Sequence, residues 1–178
     1  MVLDKDGIIN YLRRSYTWVD GFWFIEVEHY LDCFDDALQI DVQVWIRITQ
    51  QQAKLAQKLL NLSKRDVYTI IETLKVKWLV DGHSYELVQV DKNFGTVVIH
   101  KCPWFETMKR SGREHLAGYV CKAVCPPLYQ TWAETINPKV TVEMSKFLGN
   151  GAEGCEIKFI HNDRTGSSFR VSGTNIIP

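Results

Sequence analysis

The chain carries two kinds of hydrophobic pattern, one in each half. In the first eighty residues apolar positions return every three or four residues, the period of an amphipathic helix. Ile8, Leu12, Tyr16, Val19 and Trp23 form one such stripe, with Asp6 as its expected N-cap. "DGFWFIEVEHYLDCF" then places aromatics on several sides, which predicts burial on more than one face. Trp45, Ile48, Leu55, Leu59 and Leu62 make a second stripe, interrupted by the polar "TQQQ". At "SKRD", Ser63 and Asp66 read as a capping-box-like start, and Val67, Ile70, Ile71, Leu74 and Trp78 follow as a third stripe.

After Gly82 the period becomes two. "SYELVQV" and "TVVIHKC" alternate and are joined by "DKNFG", the signature of a β-hairpin. Pro103 is suited to the first position of a short helix. Pro126 and Pro127 are expected to open another, carrying Leu128, Tyr129, Trp132 and Ile136, which "NP" at Asn137 and Pro138 ends. "KVTVEMSKF" sets Val140, Val142 and Met144 on one face, "LGNGAEG" turns, and "CEIKFIH" groups Cys155, Ile157, Phe159 and His161. These elements define an α+β protein: a helical N-terminal half packed on an antiparallel sheet of two hairpins. One domain is expected over 1–161, helical over 1–80 and with sheet and helices over 83–161. The Gly, Ser and Thr-rich segment 162–178 is expected to be a flexible tail. No internal repeat is present.

Composition narrows the function classes. The 178 residues hold 21 Lys plus Arg against 21 Asp plus Glu, so no global charge attracts nucleic acid or an anionic membrane. No apolar run approaches the ~20 residues of a membrane span, and the first residues do not read as a signal peptide. Five cysteines, an odd number, argue against a fully paired framework and for a reducing cytoplasm. With 46% hydrophobic residues the chain builds a core without disulfide staples.

The candidate chemistry is in the thiols. Cys102 ends a strand, Cys155 opens one, and Cys121 and Cys125 share a face if their segment is helical. Four thiolates suit zinc or an iron–sulfur cluster; buried cysteine is equally a small apolar residue. Cys33 reads as structural. His100 alternates onto the face of Cys102 and is a possible extra ligand or a solvent-facing strand residue. Arg110 and Arg113 follow "CPWFETM". They would pair with an acidic small molecule beside the thiols, walled by Trp104, or they solvate a loop. "WVDGFWF" exceeds one core face, which points to a homodimer.

"VVIHKCPWFETMKRSG", "VCKAVCPPLYQTWAETINPKV" and "GAEGCEIKF" resemble the superfamily of 4-vinyl reductase domains and L-2-amino-thiazoline-4-carboxylic acid hydrolases. "DGFWFIEVEHYLDCFDDALQIDVQVW" is similar to uncharacterised anaerobe and archaeal proteins linked to that hydrolase family. The likeness spans roughly residues 8 to 161. It implies a ligand-binding fold with a pocket between helices and sheet. In sensor members zinc is held by cysteines and a glutamate. Those positions correspond here to Cys121 or Cys125, to Cys155, and to a place near Glu143, which alternation with Val142 and Met144 turns outward. The expected intervening cysteine falls near Phe147, so either Cys102 replaces it or the sensor-type site does not exist here. Three functions follow as expectations: a small-molecule-binding protein with a cysteine-rich zinc or iron–sulfur site; a hydrolase of a C–N or C–S bond in a small ring; or a structural interaction module.

Overall fold

The computed structural model describes residues 4–162, so the segment 163–178 of the expected tail lies outside the described residues. Five helices and four strands follow in the order α1 (Lys5–Leu31), α2 (Phe34–Leu59), α3 (Val67–Asp81), β1 (Ser84–Val90), β2 (Phe94–Lys101), α4 (Pro103–Arg110), α5 (Ala117–Ile136), β3 (Val140–Lys146) and β4 (Cys155–His161). The expected α+β class is observed. The two hairpins join through β2 and β4 into one antiparallel sheet of order β1-β2-β4-β3.

Period-two alternation gives the sheet two unlike faces. Val97, Ile99, Val140, Ile157 and Phe159 point into the core. Glu143 stands opposite Lys158 on the outer face, and Glu156 pairs there with Lys146 and Lys158. Helices α3 and α5 cover the inner face, and α1 and α2 pack outside them. The α3 stripe is the centre of the core: Val67, Ile70, Ile71, Leu74 and Trp78 are all fully buried. Asp66 is its N-cap, its carboxylate accepting from the Thr69 N–H at 2.8 Å, so the helix starts after Asp66 and not after Ser63. Trp132 Nε1 donates to Thr73 Oγ1 at 2.9 Å and Trp78 Nε1 to the Tyr129 hydroxyl at 3.2 Å, two buried bonds that tie α5 to α3.

Three helical expectations are corrected. First, α1 contains no buried residue. Its stripe of Ile8, Leu12, Val19 and Trp23 faces outward, with Phe22 and Tyr30, and only Tyr16 of that stripe turns inward. Its N-cap is Asp4, which accepts from Gly7 N–H at 2.7 Å, and not Asp6. Second, "TQQQ" does not interrupt α2, because Thr49 with Ala53 and Ala56 supplies a small-residue buried face while Ile48, Leu55 and Leu59 are exposed. Third, α5 begins nine residues before Pro126 and runs through both prolines. Each proline removes one intrahelical N–H bond, freeing the carbonyls of Lys122 and Ala123. The buried face Leu128, Tyr129, Trp132, Ala133 and Ile136 holds the helix across this defect.

Candidate functional site

The topology brings four thiols to one region where helices meet the sheet. Cys102 is the residue before Pro103 and caps α4. Cys121 and Cys125 lie one turn apart on α5, as their spacing requires. Cys155 opens β4, paired with Ile99 of β2. All are free, and each lies within electrostatic reach of others of the set. Cys33 lies elsewhere, as the N-cap of α2.

A close backbone approach completes the cluster. The 3-10 turn Leu148–Asn150 rests on the first turn of α5. A Cβ on Gly149 would sit 2.6 Å from the Ala117 carbonyl oxygen, and one on Gly118 would sit 2.9 Å from the Gly149 carbonyl oxygen. Only glycine at both places permits this contact. The turn then donates backbone N–H groups to the thiols: Leu148 to Cys155 Sγ at 3.3 Å, and Gly149 toward Cys121.

The four thiols are not equivalent. Burial pushes Cys102 up to about 12. Burial also raises Cys155, against the Leu148 N–H. Cys125 is raised, first because its S–H donates to Cys121 and then by burial. Cys121 is lowered by the same bond, with help from the Gly149 N–H. Cys121, lowered despite its own burial, is the most readily ionised of the four. Among the described residues no three His, Cys, Asp or Glu side chains are placed to hold a metal ion together.

Beside it lies an open cleft of about 400 Å³ between α4 and the segment after β3, lined by Phe105, Lys109, Glu114, Leu148, Gly149 and Glu153, among others. Two of its lining residues, Leu148 and Gly149, are those that donate to the thiols, so cleft and cluster share a wall. Nothing in the spacing of the cysteines marks these residues; the "LGNG" turn reads as a plain hairpin connection, and its role appears only when it meets Gly118.

The other expected site residues have different surroundings. Trp104 packs edge-on against Trp45 and Tyr16, at 5.2 and 5.7 Å between ring centroids. Arg110 is exposed and donates to Thr107 Oγ1 within its own helix. Arg113 pairs with Glu28 of α1 at 2.5 Å and stacks over Phe24 and Phe34, so it holds α1 in place. The cation in the cleft is Lys109. His100 is half exposed, 3.4 Å from Glu86 of β1. Glu143 is on the opposite face of the sheet from Val142 and Met144.

The chain belongs to a family of unknown function, DUF6125, whose model matches residues 2–149. No curated protein sequence matches it. Among solved structures it is similar to a trafficking protein particle complex subunit 3 from Naegleria fowleri covalently bound to palmitic acid. That match has 12% identity over 86% of this chain and 97% of that one, with a TM-score of 0.58. It is also similar to the phenol-responsive sensory domain of the transcription activator PoxR with phenol. There the identity is 14% over 82% of this chain and 74% of that one, with a TM-score of 0.51. At these identities the likeness is one of fold.

Proposed function

We propose that the protein binds a small molecule in the cleft between α4 and residues 148–153, against the thiol cluster. The observation that carries this is the shared wall: the backbone that lines the cleft also donates to Cys121 and Cys155. Lys109 lies over the Phe105 ring at 4.2 Å and 3.6 Å from Glu106, so an acidic group of the ligand would share this cation with Glu106, beside Glu114 and Glu153. A cleft of this size suits a small ligand, and its lining of Lys109, Glu114, Glu153 and backbone suits one with polar groups. Both structural neighbours are named with a small molecule bound, one of them covalently, which supports the reading. So does the resemblance of the stretches around Cys121 and Cys155 to 4-vinyl reductase domains. Five free thiols fit a reducing compartment such as the cytoplasm.

Native mass spectrometry of the anaerobically purified chain, supplemented with phenol or palmitate, tests this. A one-to-one adduct lost in Phe105→Ala and in Cys121→Ser supports the site. A bare wild-type chain under every condition, or adducts that both variants keep, refutes it.

Zinc or an iron–sulfur cluster is a second reading, favoured by the donor chemistry of four thiols alone. It requires the thiols to close together from their present arrangement. Elemental analysis and a visible spectrum of the same preparation distinguish it from the first.

A homodimer is part of the proposal. Val19 and Trp23 on α1, with Ile40, Val44 and Ile48 on α2, expose apolar surface on both arms of the α1–α2 hairpin. A second copy laid across it would give a four-helix bundle. Light scattering that reports a monomer at micromolar concentration removes this part.

A further inference from the structure

A second polar cluster lies away from the thiols, where α1, α2 and α3 meet. Tyr16 and Asp20 come from α1, Lys77 and Asp81 from α3, and His83 follows α3. From α2 come Asp41, Trp45, Thr49 and Gln52, whose spacing of four, four and three puts them on one face. Lys77 donates to Asp81 at 2.8 Å, both nearly inaccessible, and its ammonium lies 5.1 Å from the Trp45 ring centroid. Arg13 of α1 donates to the carbonyl oxygens of Leu79 and Val80.

Those two cations are therefore committed. Asp20 and Asp41 make no direct ion pair among the described residues, though Lys77 attracts Asp20 from nearby, and Asp41 accepts from the Trp45 indole. Three buried polar atoms of the cluster have no partner among the described residues: Thr49 Oγ1, Gln52 Oε1 and His83 Nδ1. Thr49 is fully buried. Tyr16 touches Trp45 at 6.2 Å between centroids and bonds to Gln52. Thr49 lies between those two on the same face of α2, one turn from each. Every one of these atoms can accept a hydrogen bond, and leaving each unmet costs about 1–3 kcal/mol. The rings of Tyr16, Trp45 and Trp104 pack edge to face beside these groups, at 5.2–6.2 Å from one another, and the Trp45 ring already carries the Lys77 ammonium.

We infer that this cluster binds a small organic cation bearing N–H donors, a protonated amine or amidine. Its N–H groups would meet Asp20, Asp41 and Gln52, and its charge the Tyr16 ring, since the Trp45 ring carries Lys77. Among the described residues these side chains make no ligating group of three for a metal ion, whereas separate N–H donors can reach them one by one. Burial raises Asp41 to about 7 and Asp20 to about 6, while it lowers His83 to about 4. Near pH 7 and below, Asp41 therefore holds a proton for part of the time in the free chain, and a bound cation displaces it. This site shares no residue with the thiol cleft, so either proposal can fail alone.

The test is a titration of the full chain with methylguanidinium chloride at about pH 8, where both carboxyls are ionised. Tetramethylammonium chloride, which has no N–H donor, is the control at equal ionic strength. Tryptophan fluorescence reports binding, and calorimetry in two buffers of unlike ionisation enthalpy, near pH 7, reports proton release. The expected result is saturable one-to-one binding of methylguanidinium only, with protons released. Asp41→Asn should weaken it about tenfold, the worth of one charge-assisted hydrogen bond. Thr49→Val keeps both carboxyls and should weaken it several-fold, which preserves the test if Asp41→Asn does not fold. No saturable response, an equal response to tetramethylammonium, or affinity unchanged in both variants overturns the inference.

Discussion

Helices α1 and α3 are both rich in apolar residues, yet they use them in opposite ways. In α3 the stripe Val67, Ile70, Ile71, Leu74 and Trp78 is fully buried between sheet and helices. In α1 the stripe of Ile8, Leu12, Val19 and Trp23 points to solvent, and the inner face carries Arg13, Tyr16, Asp20 and Glu28. The α3 interface is held by desolvation of aliphatic and indole surface, at about 25 cal/mol per Å². The α1 interface is held by placed polar contacts: Arg13 on the last carbonyls of α3, and Glu28 on Arg113. The first kind of contact specifies a fold. The second leaves a helix whose outer face can serve a partner and whose inner face can serve a ligand.

The comparison breaks most sharply by truncation. Leu74→Ala should cost about 2–5 kcal/mol in urea unfolding, because a fully buried side chain leaves a cavity. A loss below about 1 kcal/mol would mean that α3 is not the centre of the core. Gly149→Ala should cost about 1–3 kcal/mol, since its Cβ must push the turn off α5. The same change should slow alkylation of Cys121, which loses its Gly149 donor. Unchanged alkylation would disconnect turn and thiol.

Protonation distinguishes the two interfaces next. Asp20 and Asp41 have folded values of about 6 and 7, above their ordinary 3.8. The folded state then holds more protons than the unfolded one between about pH 4 and 7, so their contribution is full below pH 4 and is lost as pH rises through 6 and 7. His83, lowered by burial to about 4, acts in the opposite sense, contributing above about 6.5 and losing that as pH falls through 4. Stability should thus fall between pH 4 and 7 in the wild type. In Asp20→Asn/Asp41→Asn it should rise over that range, with His83 alone remaining. Parallel curves would show that the carboxyls are not buried between α1 and α2. Glu28→Gln is a smaller change, roughly 0.5–1 kcal/mol for a partly exposed pair. Trp23→Ala should be smallest, within about 0.5 kcal/mol for the monomer, while weakening any dimer.

The sequence was most readable where one signal decides an element. The α3 stripe, both hairpins and Pro103 at the start of α4 follow from period and punctuation, and the i, i+4 spacing of Cys121 and Cys125 holds once their segment is helical. The orientation of α1 was not readable, because periodicity finds an apolar face without saying which side the core is on. Its polar counter-stripe Arg13, Tyr16, Asp20 was the available signal. The start of α5 was missed because Pro126 reads as a beginning, and only burial of the residues around it shows otherwise. The cleft depends on Gly118 meeting Gly149, two residues far apart in sequence that only the fold brings together.

The central claim is that a small molecule occupies the cleft that shares its wall with the thiols. The most direct measurement is a backbone-amide NMR titration of the labelled chain with phenol and with palmitate. The account predicts that at least one of them shifts the amides of Leu148, Gly149, Gly151 and Ala152 together, with Phe105, in a saturable way. Saturable shifts confined to other parts of the chain, or none with either molecule, would contradict it.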